Sequence, residues 1–198
     1  MRTVMRICGL GALALVSACA SLPPPRPPIE STGWDQRLQA LQSIQNFDLH
    51  GRIAASNASD AVSAGLHWQQ MQSQASIDLA GALGLGAAHI EQSDDDLLVT
   101  GSNGVTLQGD AARGSLRGSL GFEPPLQSLR YWVLGASDPA SPAQPTLDAQ
   151  QRLTHLEQDG WSIDYQDYEQ VGSQWLPRRL TVTRAALKLR LVVNSWQL

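Results

Sequence analysis

The chain has 198 residues, of which 42% are hydrophobic, and it carries a formal net charge of −4 at neutral pH. A chain of this length and composition can bury one hydrophobic core, and its acidic balance argues against nucleic acid as a general partner. Both cysteines, Cys8 and Cys19, lie near the amino terminus, so the rest of the chain has neither a disulfide nor a free thiol.

The amino terminus is predicted to be a lipoprotein signal peptide, residues 1–18. Two arginines supply its positive region, and residues 7–16 (ICGLGALALV) supply an apolar stretch too short to span a bilayer. Residues 16–19 (VSAC) resemble the bacterial lipobox. This resemblance implies cleavage before Cys19, a diacylglycerol on its thiol and an acyl group on the new amino terminus. No cofactor other than this covalent lipid is predicted.

Residues 19–31 are predicted to form a lipidated amino terminus and a stiff, proline-rich spacer. Three acyl chains should anchor the protein durably, because each buried methylene contributes about 0.8 kcal/mol and one chain alone holds only marginally. Ala20 and Ser21 follow the cysteine. By analogy with bacterial lipoproteins, the lack of an aspartate at these positions favours the outer membrane. The PPPRPP run would hold a folded domain, residues 32–198, away from the lipid surface.

A helix followed by short strands is predicted for the first half of this domain. Residues 34–44 place Trp34, Leu38, Leu41 and Ile44 at helical intervals. The hydrophobic period then changes to two, which predicts an antiparallel meander. Six segments alternate in this way: 47–55, 62–70, 76–79, 87–92, 96–100 and 105–108.

Two further helices and a second group of strands are predicted after the meander. Residues 110–120 have a helical pattern weakened by two glycines, and residues 124–135 open with proline and end with glycine, as helices often do. A polar, proline-rich loop is predicted at 136–145. Asp-Gly at 159–160 predicts a tight hairpin. Alternation predicts four strands in this part: 152–158, 161–168, 178–184 and 187–196.

The order of elements predicts a mainly β fold with a helical cover. A single sheet of ten or more twisted strands tends to curl. Short helices could cover its inner, apolar face without filling it. A curled sheet of this kind is a candidate for a hydrophobic cavity.

The motifs of common enzyme and metal sites are missing from the sequence. There is no G-x-S-x-G elbow, Walker loop or dinucleotide loop, and the acidic residues of 157–167 give no acid/base pair, so an enzyme is disfavoured. His50, His67, His89 and His155 lie on four predicted strands without metal-ligand spacing. We interpret them as outward or cavity-edge polar residues and predict no metal site. Five basic residues within 178–190 are interpreted as a solvated face rather than a docking patch.

The connection LAGALGLGAAHI, residues 79–90, is unusual for a hairpin loop. Its central part has no polar side chain, and Leu83 and Leu85 lie at its tip. Exposing an apolar loop to water is energetically unfavourable, and such a loop usually binds a partner or a membrane. Two interpretations stay open at this level. The loop folds back onto the core, or it enters another apolar medium such as a membrane or the pocket of a partner.

The motifs FDLHGRIA, GLHWQQ, LRYWVLG, LEQDGWSIDYQDY and LRLVVNSW, in this order, resemble the LolB family of outer-membrane lipoprotein receptors. The resemblance implies an unclosed antiparallel β-barrel of about 10–11 strands, covered by short α-helices around an apolar cavity. It implies a monomer that faces the periplasm from the outer membrane and accepts acylated lipoproteins from the carrier LolA. The protein would insert them into the phospholipid without nucleotide. The family's membrane-insertion leucine corresponds to Leu83, where Ala82 replaces a frequent proline.

Seven apolar residues are predicted to contribute to the acyl-chain cavity, although sequence cannot separate a lined pocket from a packed core: Ile53, Leu66, Trp68, Leu129, Trp132, Trp161 and Leu189. Two other functional classes stay open. The protein could be a tethering or structural envelope lipoprotein without acyl-chain binding. It could also be a carrier for another lipid, such as a glycolipid.

Overall fold

The main chain forms eleven antiparallel strands and three short helices in a computed structural model that describes residues 32–57, 61–81, 87–94 and 96–198. The helices are α1 (Thr32–Gln42), α2 (Asp110–Leu120) and α3 (Leu126–Trp132). The strands are β1 (Asn46–Ser56), β2 (Ala61–Met71), β3 (Gln74–Ala80), β4 (Ala88–Ser93), β5 (Asp96–Gly101), β6 (Thr106–Gln108), β7 (Ala143–Leu147), β8 (Leu153–Gln158), β9 (Trp161–Val171), β10 (Gln174–Arg184) and β11 (Leu187–Gln197).

All eleven strands belong to one sheet, in the order β6-β5-β4-β3-β2-β1-β11-β10-β9-β8-β7. The first and last strands pair at its centre, and each half is a meander of hairpins that runs to an outer edge. Among the described residues, no pairing joins the edge strands β6 and β7, so the sheet is not closed. The predicted fold class, an unclosed antiparallel sheet with short helices, is confirmed.

One strand was missing from the sequence-based prediction. Residues 143–145, predicted as part of a loop, begin β7, which pairs with β8. Pro145 lies in this strand and cannot donate to a sheet ladder, which restricts such a strand to a sheet edge. The strand forms because β8 offers it an open edge, and its own residues show no alternation of buried and exposed positions.

The buried face of the sheet and the helices share one core, within a single compact unit, Ser31–Leu198. Alternate residues of β2 point inwards, and Leu66 and Trp68 are buried in this way. Helix α1 adds Trp34 and Leu41 to this core, as its helical spacing predicts. The inner face of the sheet is the face that carries the buried residues, and the outer face is the opposite one. None of the helices in the described ranges is long and apolar enough to cross a membrane.

A bulge joins the two halves of the sheet. The register of β1 with β11 shifts between His50 and Gly51. His50 pairs with Ser195 and Gly51 pairs with Val193, so Asn194 is the extra residue in β11. The extra residue in β11 allows Trp196, beyond the shift, to remain buried. Glycine is required at position 51, because a Cβ there would collide with the carbonyl oxygen of Val192.

Candidate functional site

An apolar cavity lies between the inner face of the sheet and the segment 110–133, which we call the helical cover. The cover consists of α2, a linker at 121–125 and α3. Ten lining residues come from β1 to β4, β10 and β11, and six come from the cover. The lining residues are Ile53, Ala55, Leu66, Trp68, Ile77, Leu79, Ile90, Leu120, Phe122, Pro124, Leu126, Leu129, Val133, Leu180, Leu189 and Leu191.

The cavity lining has no titratable group, and its polar chemistry is limited to one indole. Trp68 donates its Nε1–H to Oε1 of Gln70 at 3.1 Å, and the Gln70 amide donates to the carbonyl oxygen of Gln72 at 2.8 Å. Buried polar groups are tolerated when they are hydrogen-bonded in this way. The site can therefore bind an apolar ligand, and its lining offers no acid, base or nucleophile for catalysis.

The cavity is small in this conformation, at about 60 Å³. An engineered apolar cavity of about 150 Å³ accommodates a molecule as small as benzene. A long acyl chain is several times larger than benzene. The cavity therefore marks where an apolar guest would enter, and the guest requires part of the cover to move.

Five of the seven residues predicted for the acyl-chain site line this cavity: Ile53, Leu66, Trp68, Leu129 and Leu189. Trp132 and Trp161 are buried but are not among the lining residues. Trp161 packs behind the lining residue Phe122, with ring centroids 5.9 Å apart, and beside Trp132 at 6.2 Å. Acyl-chain contact by any of the seven stays a prediction.

The LRYWVLG motif and the Q-x-G-W residues of the LEQDGWSIDYQDY motif, Gln158, Gly160 and Trp161, meet at a buried glutamine. Gln158 accepts hydrogen bonds through Oε1 from Nε1 of Trp132 at 2.8 Å and from the backbone N–H of Asp138 at 3.0 Å. Its amide nitrogen donates to the carbonyl oxygens of Asp138 at 2.7 Å and Ser141 at 2.9 Å. LRYWVLG and the Q-x-G-W motif therefore attach the end of α3 to β8. Sequence reasoning singled out the motifs but missed this structural role of Gln158.

Helix α2 is held more weakly than α3. Two of the eleven residues of α2 are buried, Ala112 and Leu116, against two of the seven residues of α3, Leu129 and Trp132. Ion pairs from Arg117 (3.0 Å) and Arg113 (3.3 Å) to Glu123 connect the helix to the linker rather than to the sheet. Exposed pairs of this kind contribute about 0–1 kcal/mol. We therefore expect α2 with the linker to be the part of the cover that moves at least cost.

Three predicted site residues, Cys19, Leu83 and Leu85, lie outside the described residues. The two ends of the 82–86 connection are described, and they place its roots beside the cavity. Leu79 of β3 pairs with Ala88 of β4, and Leu79 also lines the cavity. The apolar loop therefore connects two strands that both contribute to the cavity, through Leu79 and Ile90.

The titratable groups with shifted pKa values lie away from the cavity lining. A hydrogen bond to Asp78 is the main cause of a raised pKa at His89, and one to Asp164 has the same effect at His155. Burial raises the pKa of Tyr165 far above its ordinary value. Both histidines lie on strands, as predicted, and their side chains are partly exposed.

Comparison with known proteins places the chain in a family. The family model described as Outer membrane lipoprotein LolB matches residues 45–196. The chain is 30% identical over 197 residues to the outer-membrane lipoprotein LolB of a Marinomonas strain, with 98% of each chain covered. It is 34% identical over 190 residues to the LolB of a Pseudomonas aeruginosa strain, covering 94% of this chain and 92% of the relative.

Solved structures share the fold at low sequence identity. A LolA superfamily protein from Nitrosomonas europaea has a TM-score of 0.53 and 10% identity, covering 84% of this chain and 92% of its own. A DUF1329 family protein from Desulfovibrio piger has a TM-score of 0.58 and 9% identity, with 84% and 92% covered. At such identities the likeness concerns the fold alone. The family matches confirm the resemblance carried by the motifs: the chain belongs to the LolB family of outer-membrane lipoproteins.

Proposed function

We propose that this outer-membrane lipoprotein receptor takes the acyl chains of passenger lipoproteins from the carrier LolA into the cavity under the helical cover and then inserts them into the membrane. The observation that carries the proposal is the cavity itself, whose lining combines ten sheet residues and six cover residues without a titratable group. A lining of this kind has affinity for hydrocarbon and offers no means of covalent chemistry. Its place between the sheet and a separable cover gives a guest a route to enter.

Entry of an acyl chain would proceed by displacement of α2 and the linker while α3 stays attached through Gln158. Displacement exposes three large apolar side chains, the buried Leu116 and Phe122 and the partly buried Leu120, together with the small Ala112. Exposing the three large side chains costs about 5–9 kcal/mol. A chain that buries a dozen methylenes returns about 10 kcal/mol at about 0.8 kcal/mol each. The guest therefore stabilises the open cover, and an unliganded protein stays closed.

Transfer without nucleotide requires only that each successive site binds the acyl chains more tightly. A difference of about 1.4 kcal/mol between carrier and receptor gives a tenfold preference. The 82–86 connection would complete the path by placing Leu83 in the leaflet, supported by Leu85.

Lipidation of Cys19 would keep the domain at the outer membrane, facing the periplasm. A Cys19→Ala form exported with an ordinary cleavable signal should be recovered as a soluble protein, and its recovery as an integral membrane protein would contradict the anchor.

The movement of the cover can be tested with a reversible cross-link. A Cβ added to Gly121, at the end of α2, would lie 3.9 Å from Cγ of Asn57, just beyond β1. This proximity allows a disulfide in an Asn57→Cys/Gly121→Cys variant after a small adjustment. The proposed lipidation leaves no competing free thiol. The assay is transfer of labelled lipoprotein from LolA to the purified receptor.

We expect the oxidised variant to accept little lipoprotein and the reduced variant to recover transfer. The single variants Asn57→Cys and Gly121→Cys are the controls, because Gly121 has a φ of +79° and a side chain there adds strain by itself. Full transfer by the oxidised, cross-linked protein would reject entry under α2. If no lipoprotein is accepted even by the wild type, mass spectrometry of the co-purifying lipid distinguishes a carrier of another lipid from a tethering protein.

A further inference from the structure

We propose that the outer face of β1 and β2 binds one divalent transition-metal ion of the zinc and copper class through Asp48, His50 and His67. The β1–β2 register places His50 directly opposite His67. Asp48 is two residues before His50 on the same strand, so its side chain points to the same face. The sheet thus assembles three ligands, although seventeen positions separate the two histidines in sequence.

The three side chains converge on one point. Nε2 of His50 lies 3.1 Å from Oδ1 of Asp48, and Nε2 of His67 lies 3.0 Å from Oδ2. The two imidazole rings are parallel, with centroids 4.0 Å apart and an interplanar angle of 7°. Both histidines therefore direct the same nitrogen towards the same carboxylate.

The spacing of these atoms suits a small cation. One potential ligand atom from each residue lies within 4.8 Å of the other two. In a tetrahedral zinc site with Zn–N bonds of about 2.0–2.1 Å, neighbouring ligand atoms are about 3.4 Å apart. Binding also requires the two parallel imidazole rings to turn, because each nitrogen lone pair lies in the plane of its ring and both must point to the same ion. Imidazole nitrogen is a donor that zinc and copper prefer and magnesium does not, and two of the three ligands are imidazoles.

A second layer of polar groups supports the ligands. Gln69 donates its amide N–H to Oδ2 of Asp48 at 3.0 Å. Oδ2 of Asp78 lies 3.8 Å behind Nδ1 of His67, and Asp78 is itself held by His89 at 2.7 Å. A carboxylate that accepts a hydrogen bond from the second ring nitrogen usually orients a metal-binding imidazole, and Asp78 would have to move closer to His67 to form that bond. Ligand side chains that are half-exposed, such as His50, leave room for water as a fourth ligand.

The chain contains a matched control for this site. His155 also lies on the outer side of a strand pair and contacts two carboxylates, Asp164 at 2.8 Å and Glu157 at 2.8 Å, but it has no second imidazole. Within the described parts of the chain, convergence of three potential ligands is found only at Asp48, His50 and His67. Both places therefore combine a partly exposed imidazole with carboxylates, but only the first has two imidazoles at one carboxylate.

The test is isothermal titration of the untagged, full mature protein in detergent with zinc chloride, with magnesium chloride as the hard-ion comparison. We expect one Zn²⁺ per chain, at least a tenfold loss of affinity in His50→Ala and His67→Ala, and no change in His155→Ala. An Asp78→Ala variant should lose about tenfold, the usual effect of removing a supporting carboxylate. Circular dichroism checks that each variant is folded.

Substitution of cobalt for zinc gives an independent signal, since tetrahedral Co²⁺ with nitrogen ligands absorbs visible light and aqueous Co²⁺ absorbs far less. Absence of zinc binding to the wild type would overturn the proposal. So would unchanged binding in the His50→Ala/His67→Ala double variant, or an equal loss in His155→Ala. Acceptance of lipoprotein is measured separately, so failure of the metal site is distinguishable from failure of the proposed receptor function.

Discussion

Replacing Gln158 with leucine should destabilise the protein by about 4 kcal/mol, because this residue satisfies several buried groups at once. Gln158 is 2% exposed, and its removal leaves the indole N–H of Trp132 and both backbone groups of Asp138 without their partners. Each buried group left unsatisfied costs about 1–3 kcal/mol. The added apolar surface of leucine offsets only part of this cost.

The effect can be measured as the free energy of unfolding in urea, together with the melting temperature. A loss of about 4 kcal/mol corresponds to a decrease of about 10 °C in a domain of this size. Gln166→Leu is the matched control, since Gln166 is an exposed residue of β9 and its substitution should change stability by less than about 0.5 kcal/mol. If Gln158→Leu loses less than about 1 kcal/mol, Gln158 does not hold α3 to the sheet in the way we describe.

Three further experiments test the loop, the bulge and a surface histidine. Leu83→Glu should yield a folded protein that accepts lipoprotein but inserts it poorly into liposomes; normal insertion would refute the role of the loop. Gly51→Ala should cost about 1–3 kcal/mol in urea unfolding because of the Val192 backbone, whereas Gly65→Ala, with only an ordinary contact at 3.5 Å, should cost clearly less. The raised pKa of His155 means that its stabilisation is complete below about pH 6 and is lost as the pH rises through the folded-state pKa. The stability difference between wild type and His155→Ala should therefore be larger at about pH 5.5 than at about pH 8.5, by about 0.5 kcal/mol for so exposed a pair, and a difference that grows with pH would contradict the assignment.

Local patterns in the sequence were sufficient for most of the secondary structure. Alternation of apolar residues predicts the long strands because successive side chains of a strand point to opposite faces. Asp159 and Gly160 predict the β8–β9 hairpin, and both adopt positive φ, at 52° and 74°. The strand β7 was not predictable in this way, because its pairing depends on the free edge of β8 and not on its own residues.

The sequence by itself determined ten of the eleven strands, the hairpin at Asp159-Gly160, the helical segments and the family, because each depends on residues that are close together in the chain or on a recognisable sequence motif. Only the tertiary structure decided which apolar residues line the cavity. Leu129 lines it and Trp132, three residues later, does not, since the two differ in their position against the sheet and not in hydrophobicity. In the same way, only the pairing of β1 with β2 brings His50 to His67. Contacts between distant segments depend on strand register and on where the helical cover packs. The hydrophobic periodicity of a single helix or strand predicts neither of these.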